Sequence, residues 1–292
     1  MKPAPFDYCC PDTVEEAVRT LAAHAGEAKV MAGGQSLVPM LNFRVVRPAL
    51  IVDVARLLEL DCVRERSDGG LVIGALTRHR VLETSALVAG RFPVIPEAMK
   101  HVAHLAIRNR GTIGGSLSHA DPAAELPMLA RLLDANIVAR SIRGERSIPA
   151  ADFFVGPLTS ALADDELLVR VELPGLSHNG WAFDEFARRS GDFALAAVGV
   201  VLEVDGGRIR QARVAMMGVS DTPLRSPEAE AALQGQSLTD EVVAECVRAA
   251  CASLAPRRDL HASAEFRRHL AGVLTERVLR RAWQRAIGDR HE

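Results

Sequence analysis

Apolar positions follow two periods along the first part of the chain. In "TVEEAVRTLAA" (Thr13 to Ala23), Val14, Ala17, Val18 and Leu21 fall on one helical face behind Asp12 or Thr13 as N-cap, with acids in the first turn. That spacing predicts an amphipathic helix. "AKVMAGG", "ALIVDV" and "GLVIGAL" are short apolar runs next to glycine or proline and predict strands, with "LLEL" between the last two. Further on, "PVIPEAMKHVAHLAIRNRG" predicts a helix over about Pro96 to Leu105, and "AAELPMLARLLDA" predicts another. The polar, glycine-rich stretch "RNRGTIGGSLSHADP" (Arg108 to Pro122) separates them.

"ANIVAR", "ERSIPA" and "ELLVRVELP" carry strand-like alternation, and "PGLSHNG" (Pro174 to Gly180) concentrates turn formers. This places a domain boundary there and gives two domains, 1–176 and 177–292. In the second, "FALAAVGVVLEV" (Phe193 to Val204) predicts a buried strand. Asp205, Gly206 and Gly207 predict a hairpin turn into a strand with Ile209, Val214 and Met216. Phe266, Leu270, Val273, Leu274 and Val278 then recur at helical spacing among arginines. Strands followed by helices make this an α+β domain.

Composition narrows the function classes. The 292 residues are 48% hydrophobic and 25% charged with a net charge of -2, which suits a globular protein and gives no electrostatic reason to bind nucleic acid or an anionic membrane. No run is long enough to span a bilayer, and the N-terminus lacks the apolar core of a secretory signal, so the expected location is the cytoplasm. Cys9, Cys10, Cys62, Cys246 and Cys251 include no C-x-x-C pair, which argues against a zinc or iron–sulfur site and predicts buried free thiols.

The chemistry concentrates in two glycine stretches, Met31 to Leu37 ("MAGGQSL") and Gly111 to Ser116 ("GTIGGS"). Glycine pairs tolerate positive φ and admit a ligand close to the main chain, and each stretch ends in a hydroxyl that can bond phosphate or sugar. Either these are ordinary tight turns or they cradle an anion. The chain has no G-x-G and no G-x-x-x-x-G-K-[ST], so a nucleotide bound here is not held by a Rossmann fingerprint or a P-loop. Neither G-x-S-x-G nor H-E-x-x-H is present to support hydrolysis.

"AGGQSLVPMLNFR", "AIRNRGTIGGSLSHADPAAELP" and "FARRSGDFALAAVGV", in this order, make the chain similar over essentially its whole length to the FAD-binding medium subunits of bacterial molybdenum hydroxylases. These include the medium subunit of carbon monoxide dehydrogenase and counterparts acting on N-heteroaromatic compounds such as quinoline, nicotine and caffeine. The resemblance implies an α+β fold: a FAD domain of the vanillyl-alcohol oxidase, or PCMH, type with subdomains of about 1–56 and 57–176, then a smaller C-terminal domain of sheet plus helices. It implies that Ala32, Gly33, Gly34, Gln35, Ser36 and Leu37 cradle the pyrophosphate through main-chain N–H groups. Thr112, Ile113, Gly114, Gly115 and Ser116 would line the other side of the cofactor, with Ser116 where many relatives have asparagine. Glu125 falls where the family often has an acid bonding the ribityl chain. Val102, His119, Leu168, Asp192 and Phe193 complete the implied cofactor site, with Phe193 gating the flavin ring.

The resemblance further implies an oxidoreductase subunit whose own cofactor is FAD. The molybdopterin cofactor would sit on a large subunit and two [2Fe–2S] clusters on a small one, in a dimer of heterotrimers. Electrons would pass from the clusters through this FAD to an external acceptor. Two other classes are open at this level: a self-sufficient flavin oxidoreductase of the same fold, and a non-enzymatic binding or assembly module. His101 and His104 can share a helix face, and a pair supplies too few ligands for a metal. Asp121 before Pro122 reads as a turn former or as a neighbour of the flavin.

Overall fold

The computed structural model describes residues 2–288, so the last four residues of the expected second domain lie outside the described part. The chain begins with a small parallel sheet. β1 (Asp7–Cys9), α1 (Val14–Ala23), β2 (Ala28–Met31), α2 (Leu37–Asn42) and β3 (Leu50–Asp53) form it, in the strand order β1-β3-β2. The Thr13 hydroxyl accepts from the Glu16 N–H at 3.2 Å, and Val14, Ala17, Val18 and Leu21 are the buried face of α1. "LLEL" becomes a short 3₁₀ turn, Leu58–Leu60.

An antiparallel sheet follows. Its strands are β4 (Val63–Glu65), β5 (Leu71–Gly74), β6 (Asn136–Ser141), β7 (Gly144–Pro149) and β10 (Leu167–Leu173), in the order β4-β5-β10-β6-β7. The insertions hold α3 (His79–Thr84), α4 (Ala86–Arg91), α5 (Val94–Met99), α6 (Leu105–Arg108), α7 (Ile113–His119), α8 (Glu125–Leu132), α9 (Ala150–Phe153) and a two-stranded ribbon of β8 (Phe154–Gly156) and β9 (Thr159–Ser160).

Two expectations are corrected here. The helix expected over Pro96 to Leu105 is broken: α5 stops at Met99, Ala103 turns left-handed at φ 42° and His104 is extended before α6 begins. The break turns Val102 inward, where it is buried. The second glycine stretch is also not a loop between helices; it is the first turn of α7.

The last part is a four-stranded antiparallel sheet of β11 (Gly180–Phe186), β12 (Ala196–Asp205), β13 (Arg208–Met217) and β14 (Leu224–Arg225), covered by α10 (Pro227–Leu233), α11 (Asp240–Ala252) and α12 (Ala264–Gly288). Gly206 and Gly207 turn the β12–β13 hairpin at φ 57° and 72°. β12 reads as an unbroken apolar run because both of its faces are covered. Ala197 and Val201 join the core that includes α8, and Val198, Val200 and Leu202 join the core under α12. Gly199 lets α8 approach, since a Cβ there would lie 2.9 Å from Leu132 Cδ2. Of the cysteines only Cys246 is fully buried; the other four are half-buried free thiols.

Candidate functional site

β2 carries the chain out of the small sheet into Ala32–Leu37. Gly34 takes φ +71°, a conformation that side-chain-bearing residues rarely adopt, and the Gln35 side chain donates to the Gly33 carbonyl at 2.8 Å. The carbonyls of this turn serve α2, accepting from Val38 and Met40. Its amides do not serve the protein: among the described residues, the main-chain N–H groups of Gly33, Gly34, Gln35, Ser36 and Leu37 have no acceptor. A consecutive row of unpaired donors at a glycine turn is a cradle for phosphate oxygens.

The second stretch differs, and the expectation that both work alike is corrected. Gly114 and Gly115 are helical with negative φ, and the amides from Ile113 to Ser116 are already used. Ile113 N–H donates to the Thr77 carbonyl at 3.1 Å and Gly114 N–H to the Ala75 carbonyl at 2.9 Å. Gly115 N–H donates to Thr112 Oγ1 at 3.1 Å, and Ser116 N–H to the Thr112 carbonyl at 3.0 Å. The glycines are required for approach instead. A Cβ on Gly114 would lie 2.8 Å from the Ala75 carbonyl oxygen, and the bare face of Gly115 looks toward Ala32. What α7 offers a ligand is its small surface and hydroxyls, Ser116 and Ser118.

The two stretches touch. A Cβ on Gly33 would overlap the Arg110 carbonyl, and Gly111 packs on the ring of His79, which would be 2.9 Å from a Cβ there. His79 N–H donates to the Gly111 carbonyl at 2.9 Å, and its Nε2 lies 3.1 Å from the Thr112 carbonyl. Burial pushes the imidazole pKa down to about 4, so at neutral pH it is the uncharged donor to Thr112, and Nδ1 is enclosed without a partner. Sequence reading missed His79; its only signal is position, the first residue of a helix just after a strand end.

Where the turns meet, they border a cavity of about 510 Å³, within the range of cofactor sites. Ala32, Gly33, Gly34, Gln35, Ser36, Leu37, Val102, Thr112, Gly114, Gly115, Ser116, His119, Glu125, Leu168, Asp192 and Phe193 all line it. Ile113 does not, because its side chain is in the hydrophobic core with Leu117 and Leu126. The wall also includes Leu158 and Ser160 from the ribbon side and Asp164, none of which lies in a glycine-rich stretch.

Glu125 opens α8 and is buried on the wall at 7% exposure. Desolvation, then the charges of Glu185 and Asp121, push its pKa up to about 8. Asp121 accepts from the Ala123 N–H at 2.9 Å, so it does form the turn before α8. Phe193 is 65% exposed at the cavity edge rather than a core residue opening β12. Its loop is held by Gly191, at φ +84°, which lies against the His104 ring. Asp192 Oδ2 is 3.7 Å from an Arg188 guanidinium nitrogen. His101 points instead to Glu185, with Nδ1 3.6 Å from Oε1. Among the described residues no group of three or more His, Cys, Asp or Glu side chains is arranged to hold a metal ion, and no helix is long and apolar enough to cross a membrane.

Residues 4–176 match the model of the FAD binding domain in molybdopterin dehydrogenase, and residues 181–282 match that of the CO dehydrogenase flavoprotein C-terminal domain. The chain is 44% identical to the 6-hydroxypseudooxynicotine dehydrogenase complex subunit alpha of Paenarthrobacter nicotinovorans, over 98% of this chain and 97% of that one. A chain of quinoline 2-oxidoreductase from Pseudomonas putida 86 superposes with a TM-score of 0.94 at 39% identity, over 98% of this chain and 100% of that one. One of carbon monoxide dehydrogenase from Hydrogenophaga pseudoflava gives 0.95 at 38%, over 98% and 99%. Unpaired amides, a glycine contact that a Cβ would fill, and a neutral acid on the wall all suit a flavin dinucleotide. The chain belongs to the family of FAD-binding medium subunits of molybdenum hydroxylases.

Proposed function

We propose that this chain is the flavoprotein subunit of a three-component molybdenum hydroxylase, taking electrons from an iron–sulfur partner and releasing them to an external acceptor. The observation that carries this reading is the row of free amides from Gly33 to Leu37 facing a cavity walled by α7 and α8. FAD bound there supplies the redox chemistry. The chain's own residues do the rest. The Gly33–Leu37 amides would take the pyrophosphate oxygens, Ser116 and Glu125 would bond the chain between the phosphates and the ring, and Phe193 would shield the flavin. His79 holds the α7 turn in register against the first turn.

The substrate class best supported for the holoenzyme is an N-heteroaromatic compound, because the relatives just described include proteins named for 6-hydroxypseudooxynicotine and quinoline. The partners are a large molybdenum-binding subunit and a small subunit with two [2Fe–2S] clusters, arranged as a dimer of heterotrimers in the cytoplasm. The FAD domain spans about 1–176, with subdomains of about 1–56 and 57–176, and 177–292 forms the C-terminal domain.

Affinity purification of the chain from its native host tests this reading. The expected preparation shows flavin and iron–sulfur absorption together, holds one FAD per chain, and carries two further polypeptides containing molybdenum and iron. A colourless chain, or one that oxidises a substrate alone, would overturn it.

A further inference from the structure

The cavity continues past the phosphate cradle along β2, where Ala28, Lys29 and Val30 line it. That strand is an edge of the small sheet and pairs with β3 alone. The carbonyls of Glu27 and Met31 accept from the N–H groups of Ala49 and Val54, so the main-chain groups of residues 27, 29 and 31 face β3 and those of 28 and 30 face away. The Ala28 carbonyl and the Val30 N–H therefore lie on the open edge, and among the described residues neither has a hydrogen-bond partner. Leu21, Leu60, Leu76 and Leu167 also line the cavity and share one core with Ala28, against which Val30 packs. Apolar walls beside one acceptor and one donor on a strand edge suit a flat heteroaromatic base.

The loop before β10 adds a carboxylate. Three acids follow one another there, and two are already engaged. Asp165 accepts from Arg143, while Glu166 accepts from Arg146 Nε at 2.6 Å and from the Ala163 N–H at 2.8 Å, which pins the loop. Asp164 stands in the turn between these anchors and lines the cavity, and no hydrogen bond or ion pair engages its side chain among the described residues. Its Oδ2 approaches the turn that leads into β2: a Cβ on Gly26 would lie 3.5 Å away.

We propose that Asp164 and the open edge of β2 select the adenosine end of the dinucleotide. The Ala28 carbonyl accepts from the 6-amino group of adenine, the Val30 N–H donates to ring N1, and the Asp164 carboxylate accepts from the ribose hydroxyls. The proposal rests on the reading that FAD fills the cavity with its pyrophosphate on the Gly33–Leu37 amides. Adenine presents a donor beside an acceptor on one edge, the complement of a carbonyl and the N–H two residues further along a strand. Hypoxanthine reverses both groups and would meet each with its like. An acid is the usual partner of a nucleotide ribose. FMN ends before this subsite and gains nothing from it, so these residues make the chain specific for the dinucleotide.

The test uses the intact complex stripped of FAD and titrated by calorimetry with four ligands: FAD, FAD with a 2′,3′-dideoxy adenosine ribose, FAD with hypoxanthine in place of adenine, and FMN. The wild type binds FAD ~10-fold or more tightly than each of the others. Asp164→Ala weakens FAD by ~10-fold and leaves the dideoxy analogue and FMN at their wild-type affinities, so it no longer distinguishes FAD from the dideoxy form. Asp164→Asn, which keeps one acceptor oxygen, falls between. The melting temperature of the stripped complex is the same in all three proteins.

Equal weakening of FAD, the dideoxy analogue and FMN by Asp164→Ala marks a merely structural residue and overturns the role of Asp164. Hypoxanthine dinucleotide bound by the wild type as tightly as FAD overturns the role of the β2 edge. A wild-type complex that binds neither FAD nor FMN overturns the cofactor reading instead.

Discussion

At the scale of single residues, the two buried titratable groups on the cavity wall pull stability in opposite directions with pH. Glu125 keeps its proton in the folded chain up to about pH 8, while the unfolded chain releases it near the ordinary carboxylate value of 4.5. Stability from this group therefore falls as pH rises through that window. His79 is the reverse: neutral in the fold down to about pH 4, it takes up a proton in the unfolded chain near 6.5, so stability is lost as pH falls between those values. Thermal melts of the FAD-free chain should show Glu125→Gln melting above the wild type by a few degrees at pH 8 and no higher at pH 4. His79→Gln should flatten the acid limb. Gly33→Ala belongs to this scale too. Its Cβ has no space beside the Arg110 carbonyl, so FAD titration of the variant should show affinity weakened by ~10-fold or more, with the two turns pushed apart. The first turn was legible in "AGGQSL" because glycine pairs and hydroxyls carry their own chemistry. His79 was not, because burial is a property of the folded neighbourhood and leaves no local pattern.

At the scale of elements, α7 shows what periodicity cannot read. Glycines in "GTIGGSLSH" argue against a helix on propensity, about 1 kcal/mol each relative to alanine. The helix forms because Thr112 caps it, accepting from Gly115, and because the strand end at Ala75 and Thr77 accepts its first amides. Gly114→Ala should destabilise the protein by about 1–3 kcal/mol, since the new methyl meets both Ala75 Cβ and its carbonyl; urea melts check this. Gly115→Ala meets only the Thr112 hydroxyl closely, so it should cost less stability but lower FAD affinity. α1 and β12 were readable for the opposite reason, as their apolar spacing is the burial pattern itself. The stretch 96–105 misled because its apolar spacing serves α5 and then the cavity wall, through a left-handed Ala103 that no spacing rule reveals.

At the scale of the whole molecule, the C-terminal sheet is sandwiched between α8 of the flavin region and α12. Glu97 on α5 ties these layers together. It accepts from Arg285 Nη1, which also donates to the Trp181 carbonyl at 2.7 Å, and from the Phe183 N–H at 3.2 Å. Arg285 also sits 5.3 Å over the Trp181 ring. Glu97→Ala should cost about 1–3 kcal/mol, because it leaves a main-chain donor and a half-buried guanidinium without their acceptor; calorimetry of the FAD-loaded chain measures it. The general order of parts, α/β turns first and sheet plus helices last, was visible in the sequence. The closeness of the two halves was not, because β12 declares only that both its faces are covered and not by what. The row of empty donors between Gly33 and Leu37 sets an order of events for biogenesis. Until a dinucleotide arrives, the seam between the small parallel sheet and the rest of the flavin region is an unfinished joint, so cofactor supply governs how many copies mature. A cell short of riboflavin should accumulate protease-sensitive copies nicked near this seam, and added FAD should protect them.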